Sequence, residues 1–181
     1  EVKESGYGIV PTSSTTAQLA LGDAIAISLM QQKKFNKIDF KKFHPSGSLG
    51  KKLRTVEDIM LTKKKIPFIN ENATFKKAIK LINSKKLGVA IVKNKKNETT
   101  GIFTDGDIKR ILQNNENLKK LVIKSFMTKN PISIDKDILA AKAVGIMNEK
   151  KITSLCVHSK LNKKKTVGIL HIHNLISADI F

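Results

Sequence analysis

Along residues 75–82 the apolar side chains of Phe75, Ala78, Ile79 and Ile82 return at steps of three and four. That spacing predicts a helix with one face turned to a core. Leu139, Ala143, Ile146 and Met147 repeat it further on and predict a second helix of the same kind. Each runs into a Lys-containing turn and then two short apolar runs: "LGVAIVKN" and "GIFT" after the first, "ITSLCVHS" and "GILH" after the second. Such runs read as strands, and the polar stretches joining them, "KKNETT" and "KLNKKK", read as hairpin loops. Each set closes on a further helical segment, "DGDIKRILQ" or "IHNLISADI". Ahead of each set stand a Met (Met60, Met127), a Pro (Pro67, Pro131) and a short alternating strand. The chain therefore repeats a β-α-β-β-α unit over 55–112 and 122–177. One unit of about sixty residues has too little interior to be comfortable alone, whereas two packed together make a sensible domain.

The first fifty residues follow a different pattern. "PTSSTTAQLALGDAIAISLMQQKKF" opens on hydroxyl residues, with Ser13, Ser14, Thr15 or Thr16 available to cap a helix. Leu19, Leu21, Ile25, Ile27, Leu29 and Met30 then fall on all sides of that helix. A helix apolar all round is expected to be buried, in a larger core or in a subunit contact. The two short segments beside it are too little to cover it, and the sequence does not begin with Met. The expectation is a piece of a longer chain, with more of the domain upstream. Next, "FKKFHPSGSLGKKL" sets His44 on a turn forced by Pro45, Gly47 and Gly50.

Composition narrows the function classes. With 40% hydrophobic residues in 181 the chain can bury real cores. It has no uninterrupted apolar run of the roughly 18 residues that a membrane-spanning helix needs, and "EVKESGYGIV" is not built like a signal peptide. The 34 Lys and Arg against 15 Asp and Glu, a net charge of +19, invite a nucleic-acid reading. Against it, Arg occurs only at 54 and 110, the Lys residues are scattered, and aromatics make up 5% of the chain with no Trp. Phosphate forks and base-stacking platforms are poorly supplied. The expectation is a basic surface that favours small anionic ligands, with no nucleic acid and no membrane as partner. Cys156 is single, so it forms no internal disulfide; within "ITSLCVHS" it reads as a buried small hydrophobe, and a cytoplasmic location fits.

The chemistry gathers at "GIFTDGDIKR", residues 101–110, where an acid-poor chain sets Thr104, Asp105 and Asp107 on one turn. Asp105 could cap the following helix, with Asp107 favouring its N-terminus electrostatically. Alternatively, Thr104 and Asp107 could grip a ligand, the hydroxyl on a phosphate and the carboxylate on a sugar diol, beside N–H groups at the helix start. The two readings are compatible and both stay open.

On these residues the repeat resembles a tandem pair of CBS (cystathionine-β-synthase-like) domains, whose signature is Gly, apolar residues, Thr or Ser, two variable positions and Asp. The resemblance implies a nucleotide cleft between the copies with Thr104 and Asp107 at it. Copy two carries His171 and Asn174 at the matching positions, leaving no carboxylate for a sugar, so one of the two sites is expected to be degenerate. His171 and His173 have no third metal ligand near them in sequence, and no metal is expected.

Taken together, "PTSSTTAQLALGDAIAISLM", "HPSGSLGKKL" and the CBS pair are similar to the C-terminal part of the KpsF/GutQ family of D-arabinose 5-phosphate isomerases. The resemblance implies an α/β and α+β chain. Its parts would be a helical remnant of a SIS (sugar isomerase) domain at 1–46, a linker at 47–54, and CBS domains at 55–118 and 119–181. It implies a homotetrameric aldose–ketose isomerase that interconverts D-ribulose 5-phosphate and D-arabinose 5-phosphate for the Kdo sugar of lipopolysaccharide, without a cofactor. His44 would enter the active site of a neighbouring subunit, where an imidazole suits proton transfer to sugar oxygens. Glu4 would be the base or the partner of the base. The other catalytic groups would lie upstream, so this piece alone is expected to be inactive. The CBS cleft would take a nucleotide or a CMP-sugar as feedback ligand. Two other readings are a free-standing CBS module with residues 1–54 as an unrelated tail, and a basic nucleic-acid binder.

Overall fold

The structure is a computed structural model that describes residues 3–43, 50, 53–114, 118 and 121–180. The chain divides into two compact units, Glu1–Pro45 and Ser46–Phe181.

In the first unit a turn at Ser5–Gly8, with Gly6 and Tyr7 at φ 61° and 60°, leads into helix α1 (Ser13–Gln32), followed by α2 (Lys37–Phe43). The expected hydroxyl cap of α1 is not used. Thr15 and Thr16 turn their hydroxyls back to donate to the Thr12 carbonyl, each at 2.9 Å. The helix start is held by Glu4 instead. α1 buries none of its residues: Leu19, Leu21, Ile25 and Ile27 are between 52% and 69% exposed. Phe35 and Phe43 stack at 6.1 Å between α1 and α2.

The second unit holds the two repeats. Copy one contributes β1 (Leu61–Thr62), β2 (Phe68–Asn70), α3 (Phe75–Lys85), β3 (Val89–Lys93), β4 (Thr99–Thr104) and α4 (Asp105–Asn114). Copy two contributes β5 (Thr128–Lys129), β6 (Ser133–Asp135), α5 (Ala140–Lys150), β7 (Ser154–Ser159), β8 (Asn162–His171) and α6 (Ile172–Ser177). The β-α-β-β-α order is as expected. The joining loops are shorter than composition implies, because Lys163, Lys164 and Lys165 lie within β8 and Thr99 and Thr100 within β4.

Two four-stranded sheets form, β2-β3-β4-β5 and β1-β8-β7-β6. The lead-in strands are exchanged. β1 of copy one pairs antiparallel with β8, and β5 of copy two pairs antiparallel with β4. Two isolated bridges, Thr55 to Leu139 and Thr74 to Val122, repeat the exchange. Each crossing packs a methionine against a glycine of the other copy. A Cβ on Gly101 would sit 2.7 Å from the Thr128 carbonyl and 2.8 Å from the Met127 sulfur, and one on Gly168 would overlap the Met60 sulfur.

The strands read as near-continuous apolar runs because both faces are covered. Ala90, Val92 and Phe103 point into a core with Phe75, Ala78 and Ile82 of α3. Leu155, Val157 and Leu170 do the same with Ala140, Ala143 and Met147 of α5. The alternate residues Val89, Ile91, Cys156 and Ile169 form a third core with Ile66. That central layer joins the copies and leaves a cleft at one end of it.

Candidate functional site

At the C-terminal ends of β4 and β8 the two copies part around a cleft of about 650 Å³. Each copy builds its wall the same way. α3 ends on Lys86 and α5 on Lys151, both left-handed at φ 54° and 52°, so the chain doubles back toward the sheet. The next strand then runs beside the start of the last helix. The Asp105 N–H donates to the Gly88 carbonyl at 3.0 Å, and the Ile172 N–H to the Thr153 carbonyl at 2.9 Å. Gly88 sits at φ 63°, and a Cβ there would meet the Asp105 carboxylate at 2.9 Å. Glycine therefore admits that side chain to the cleft.

Thr104 lines the cleft, and so does Asp105. Asp107 is absent from the lining. It is 2% exposed, and its Oδ2 accepts from both the backbone N–H and the hydroxyl of Thr104, each at 2.8 Å. The Asp107 N–H donates back to the Thr104 hydroxyl at 3.3 Å, and Arg110 holds the other carboxylate oxygen. This is a reciprocal capping box. It corrects the expected division of labour: Thr104 caps α4, Asp107 completes the cap, and Asp105 is the first helical residue. Copy two builds the same box from other residues. The His171 N–H donates to Asn174 Oδ1 at 3.1 Å, and His171 Nδ1 accepts from the His173 N–H at 3.2 Å. The Thr-x-x-Asp and His-x-x-Asn patterns are thus structurally equivalent.

His171 and His173 both line the cleft, their ring centroids 5.0 Å apart. Burial, and then the proximity of His173, push the pKa of His171 down. Lys86, Lys151, Thr153, Ser154 and Asn130 complete the polar lining over an apolar floor that includes Ile91, Ile102 and Ile169. Sequence reasoning missed Lys86, Lys151 and Ser154. The shared "KK" after each helix was visible, but the left-handed turn that brings the second lysine to the cleft was not. Cys156 is 4% exposed, and burial pushes its thiol up to about 11 against the opposing hydrogen bond of Thr166. It is an inert protonated core residue at neutral pH. Among the described residues no group of His, Cys, Asp and Glu is placed to hold a metal ion.

Of the two residues that the resemblance to an isomerase singles out, Glu4 lies in the first unit. Glu4 accepts backbone N–H groups from Thr12, Ser13 and Ser14, the last two at 2.8 and 2.7 Å. Hydrogen bonding from the Ser14 side chain, then from these N–H groups, holds its carboxyl at about 2. The carboxylate fills the helix-start position where donors converge. His44 lies outside the described residues.

A profile of the CBS domain matches residues 56–114 and 123–180. The chain is 38% identical over 174 residues to "Arabinose 5-phosphate isomerase KdsD" of Salmonella typhimurium, covering 96% of this chain and 52% of the relative. It is 37% identical over 174 residues to the protein of the same name from Escherichia coli K12, with the same coverage. To "Uncharacterized protein RP505" of Rickettsia prowazekii it is 35% identical over 180 residues, 99% of this chain and 55% of the relative. The chain thus spans about half the length of the curated relatives it matches. Among solved structures, CBSX2 in complex with AMP superposes with a TM-score of 0.59 at 22% identity, covering 70% of this chain and 96% of that one. The CBS domain pair of MJ0100, in complex with 5′-methylthioadenosine and S-adenosyl-L-methionine, gives 0.61 at 21% identity, covering 68% and 94%. At these identities the likeness establishes the fold. Among the described residues no helix is long and apolar enough to cross a membrane.

Proposed function

Because the chain belongs to the CBS domain family, we propose that it is the C-terminal part of an arabinose 5-phosphate isomerase, with its tandem CBS pair sensing a nucleotide-type ligand. One observation carries the reading. The likeness to the KdsD proteins runs over nearly the whole chain, through the N-terminal unit as well as the CBS pair. A free-standing CBS module would have no reason to keep α1 and the segment after it.

In this reading residues 1–46 belong to a SIS domain completed upstream, 47–54 link it to the pair, and the copies occupy 55–118 and 119–181. The whole enzyme is a cytoplasmic homotetramer that interconverts D-ribulose 5-phosphate and D-arabinose 5-phosphate for Kdo supply. Isomerisation moves a proton between C1 and C2 through an enediol, with a second proton exchanged between the two oxygens. His44 supplies the oxygen-side proton transfer, as an imidazole can near neutral pH. Glu4, held as an anion on the start of α1, acts as partner of the base: a carboxyl at about 2 takes up few protons at neutral pH but orients a neighbouring donor well. Covering of α1 by the missing half and by other subunits accounts for its apolar faces.

In the cleft Thr104 and Asp107 form the grip of copy one. Thr104 stands on the wall and Asp107 behind it, its carboxylate orienting the Thr104 hydroxyl through the cap. Nucleotides or CMP-sugars are the ligand class. The relatives' structures named for AMP, methylthioadenosine and S-adenosylmethionine make a nucleoside the leading choice.

The test is the full-length protein given ribulose 5-phosphate and followed by NMR for arabinose 5-phosphate. Equilibration is expected, and His44→Ala is expected to lower turnover about 100-fold or more without changing the circular dichroism. A full-length protein that leaves the ketose untouched overturns the isomerase reading. For the cleft, calorimetry with AMP, ATP and a CMP-sugar is expected to give heat from at least one. Silence from all of them on folded protein removes the sensing role.

A further inference from the structure

At the end of the strands opposite the cleft, the β3–β4 and β7–β8 turns lie side by side although they are far apart in sequence. The Thr99 and Thr166 hydroxyls are 2.8 Å apart, and the Thr166 N–H donates to the Thr99 hydroxyl at 3.2 Å. Residues 93–98 and 160–165 hold seven lysines and one acid, Glu98. Lysines that are scattered along the chain are thus gathered by the fold. The Glu98 carboxylate is already engaged, since Asn94 Nδ2 donates to it at 2.9 Å. That bond, helped by Lys164, Lys96 and Lys165 against the cost of burial, holds its carboxyl below the ordinary value. Lys93 stands 3.1 Å over the Phe68 ring, and desolvation and then repulsion from Lys165 push its pKa down. Asp137 lies 3.7 Å from Lys160 and 3.8 Å from Lys136.

Both turns are tied by their own hydrogen bonds. Asn94 Oδ1 accepts from the Lys96 and Glu98 N–H groups, each at 2.9 Å, and Asn97 closes that turn at φ 59°. In the other hairpin His158 pairs with Thr166 and Ser159 with Asn162, so Lys163, Lys164 and Lys165 are the extra residues of a bulge on β8. Asn162 Oδ1 accepts from the Lys164 N–H at 3.1 Å and holds the bulge in place. A bulge re-aims the side chains it carries, and here all three lysines are exposed, as are Lys95, Lys96 and Lys160. At the apex Leu161 is 99% exposed. A single exposed leucine is ordinary. One set at the tip of a lysine cluster gives the surface an apolar anchor beside its charge.

We propose that this end of the CBS pair docks on a bilayer surface rich in anionic lipids, with Leu161 entering the boundary between headgroups and acyl chains and the lysines of both turns lying over the lipid phosphates. A chain need not span a membrane to rest on one, and a stable contact takes two signals, apolar burial and charge. A cluster of about four to eight basic residues is what attraction to an anionic leaflet requires. Nucleic acid fits the surface less well. The two turns hold no Arg and no aromatic ring, so they supply neither phosphate forks nor a stacking platform, and a duplex has no place to bury Leu161. An acidic protein would need a pocket matched to that leucine, whereas lipid receives it anywhere. β4 and β8 run from these turns to the cleft, so the docked pair keeps the cleft at its far end, open to ligands from solvent. The docking uses none of the residues assigned to the cleft or to isomerisation and stands apart from both readings.

The experiment is co-sedimentation of the full-length protein with vesicles of phosphatidylcholine alone and of phosphatidylcholine with about one third phosphatidylglycerol, at about 0.1 M and about 0.5 M salt. Binding is expected to the mixed vesicles only, and weaker at the higher salt. Lys163→Glu combined with Lys164→Glu is expected to lower the partition coefficient about tenfold or more. Lys80→Glu combined with Lys109→Glu makes the same change in net charge at exposed positions of α3 and α4, and is expected to lower it by less than about threefold. Leu161→Ser is expected to lower it roughly tenfold. Circular dichroism checks that each variant is folded. Equal losses from the two double substitutions show that total charge alone is sensed, and overturn the docking face. Unchanged partition in Leu161→Ser, or no binding to the mixed vesicles, overturns it too. A protein that ignores vesicles but retards duplex or single-stranded DNA, with the retardation lost in Lys163→Glu combined with Lys164→Glu, gives the surface to nucleic acid instead.

Discussion

Glu4 does at the start of α1 what a hydroxyl usually does, and it does so from nine residues upstream of the helix start. Its folded-state carboxyl, at about 2, lies below the ordinary value of 4.5. The stabilisation it gives is therefore fully present above about pH 4.5 and is lost as pH falls toward 2. Glu4→Gln is expected to lower the thermal midpoint of the helical circular-dichroism signal at pH 7, with the two proteins converging near pH 2. A constant difference across that range would mean that the charge is not what holds the turn. At Thr104 and Asp107 the sequence showed two polar residues three apart, which the structure joins in a cap. What it did not show was which acid reaches back. Asp105 and Asp107 both stand within the first turn, and the choice depends on α4 starting at Asp105 itself, leaving Thr104 as the cap. The same cap made from His171 and Asn174 was hidden by a change of residue type at an unchanged geometry.

Among the elements, the helices α3 and α5 and the strands after them were legible because each carries a strong period or a continuous apolar run. β1 and β5 were not. They are two residues long and have no period of their own, and their pairing partners lie in the other copy. Their presence is recorded instead in Gly101 and Gly168, where close approach of the crossing chain leaves no room for a Cβ. Gly101→Ala must move the Thr128 carbonyl, a backbone atom held in β5, and is expected to cost about 1–3 kcal/mol by chemical denaturation. Gly168→Ala meets chiefly the Met60 side chain, with the Leu61 carbonyl at 3.2 Å. It is expected to cost less, because a methionine can change rotamer. Equal costs would argue against the exchange of β5. The lysines of "KLNKKK" misled for a related reason: β8 runs on beyond the core as an exposed ribbon, where polar residues cost a strand little.

For the whole molecule, the apolar girdle of α1 and the long likeness to proteins about twice the length of this chain point the same way, toward a unit finished by other polypeptide. The excess of positive charge has a place in the cleft, where Lys86 and Lys151 are set by matched left-handed turns. In the CBS pair each half lends the other its lead-in strand. That reciprocity has a consequence for how the gene could be divided. Two separate polypeptides, one ending and one starting between the copies, should each be poorly folded when made alone and should recover protease resistance when co-expressed, like a reporter split for complementation. A half that is stable by itself would mean that the borrowed strand is ornamental, and in that case the duplication needed no partner from the outset.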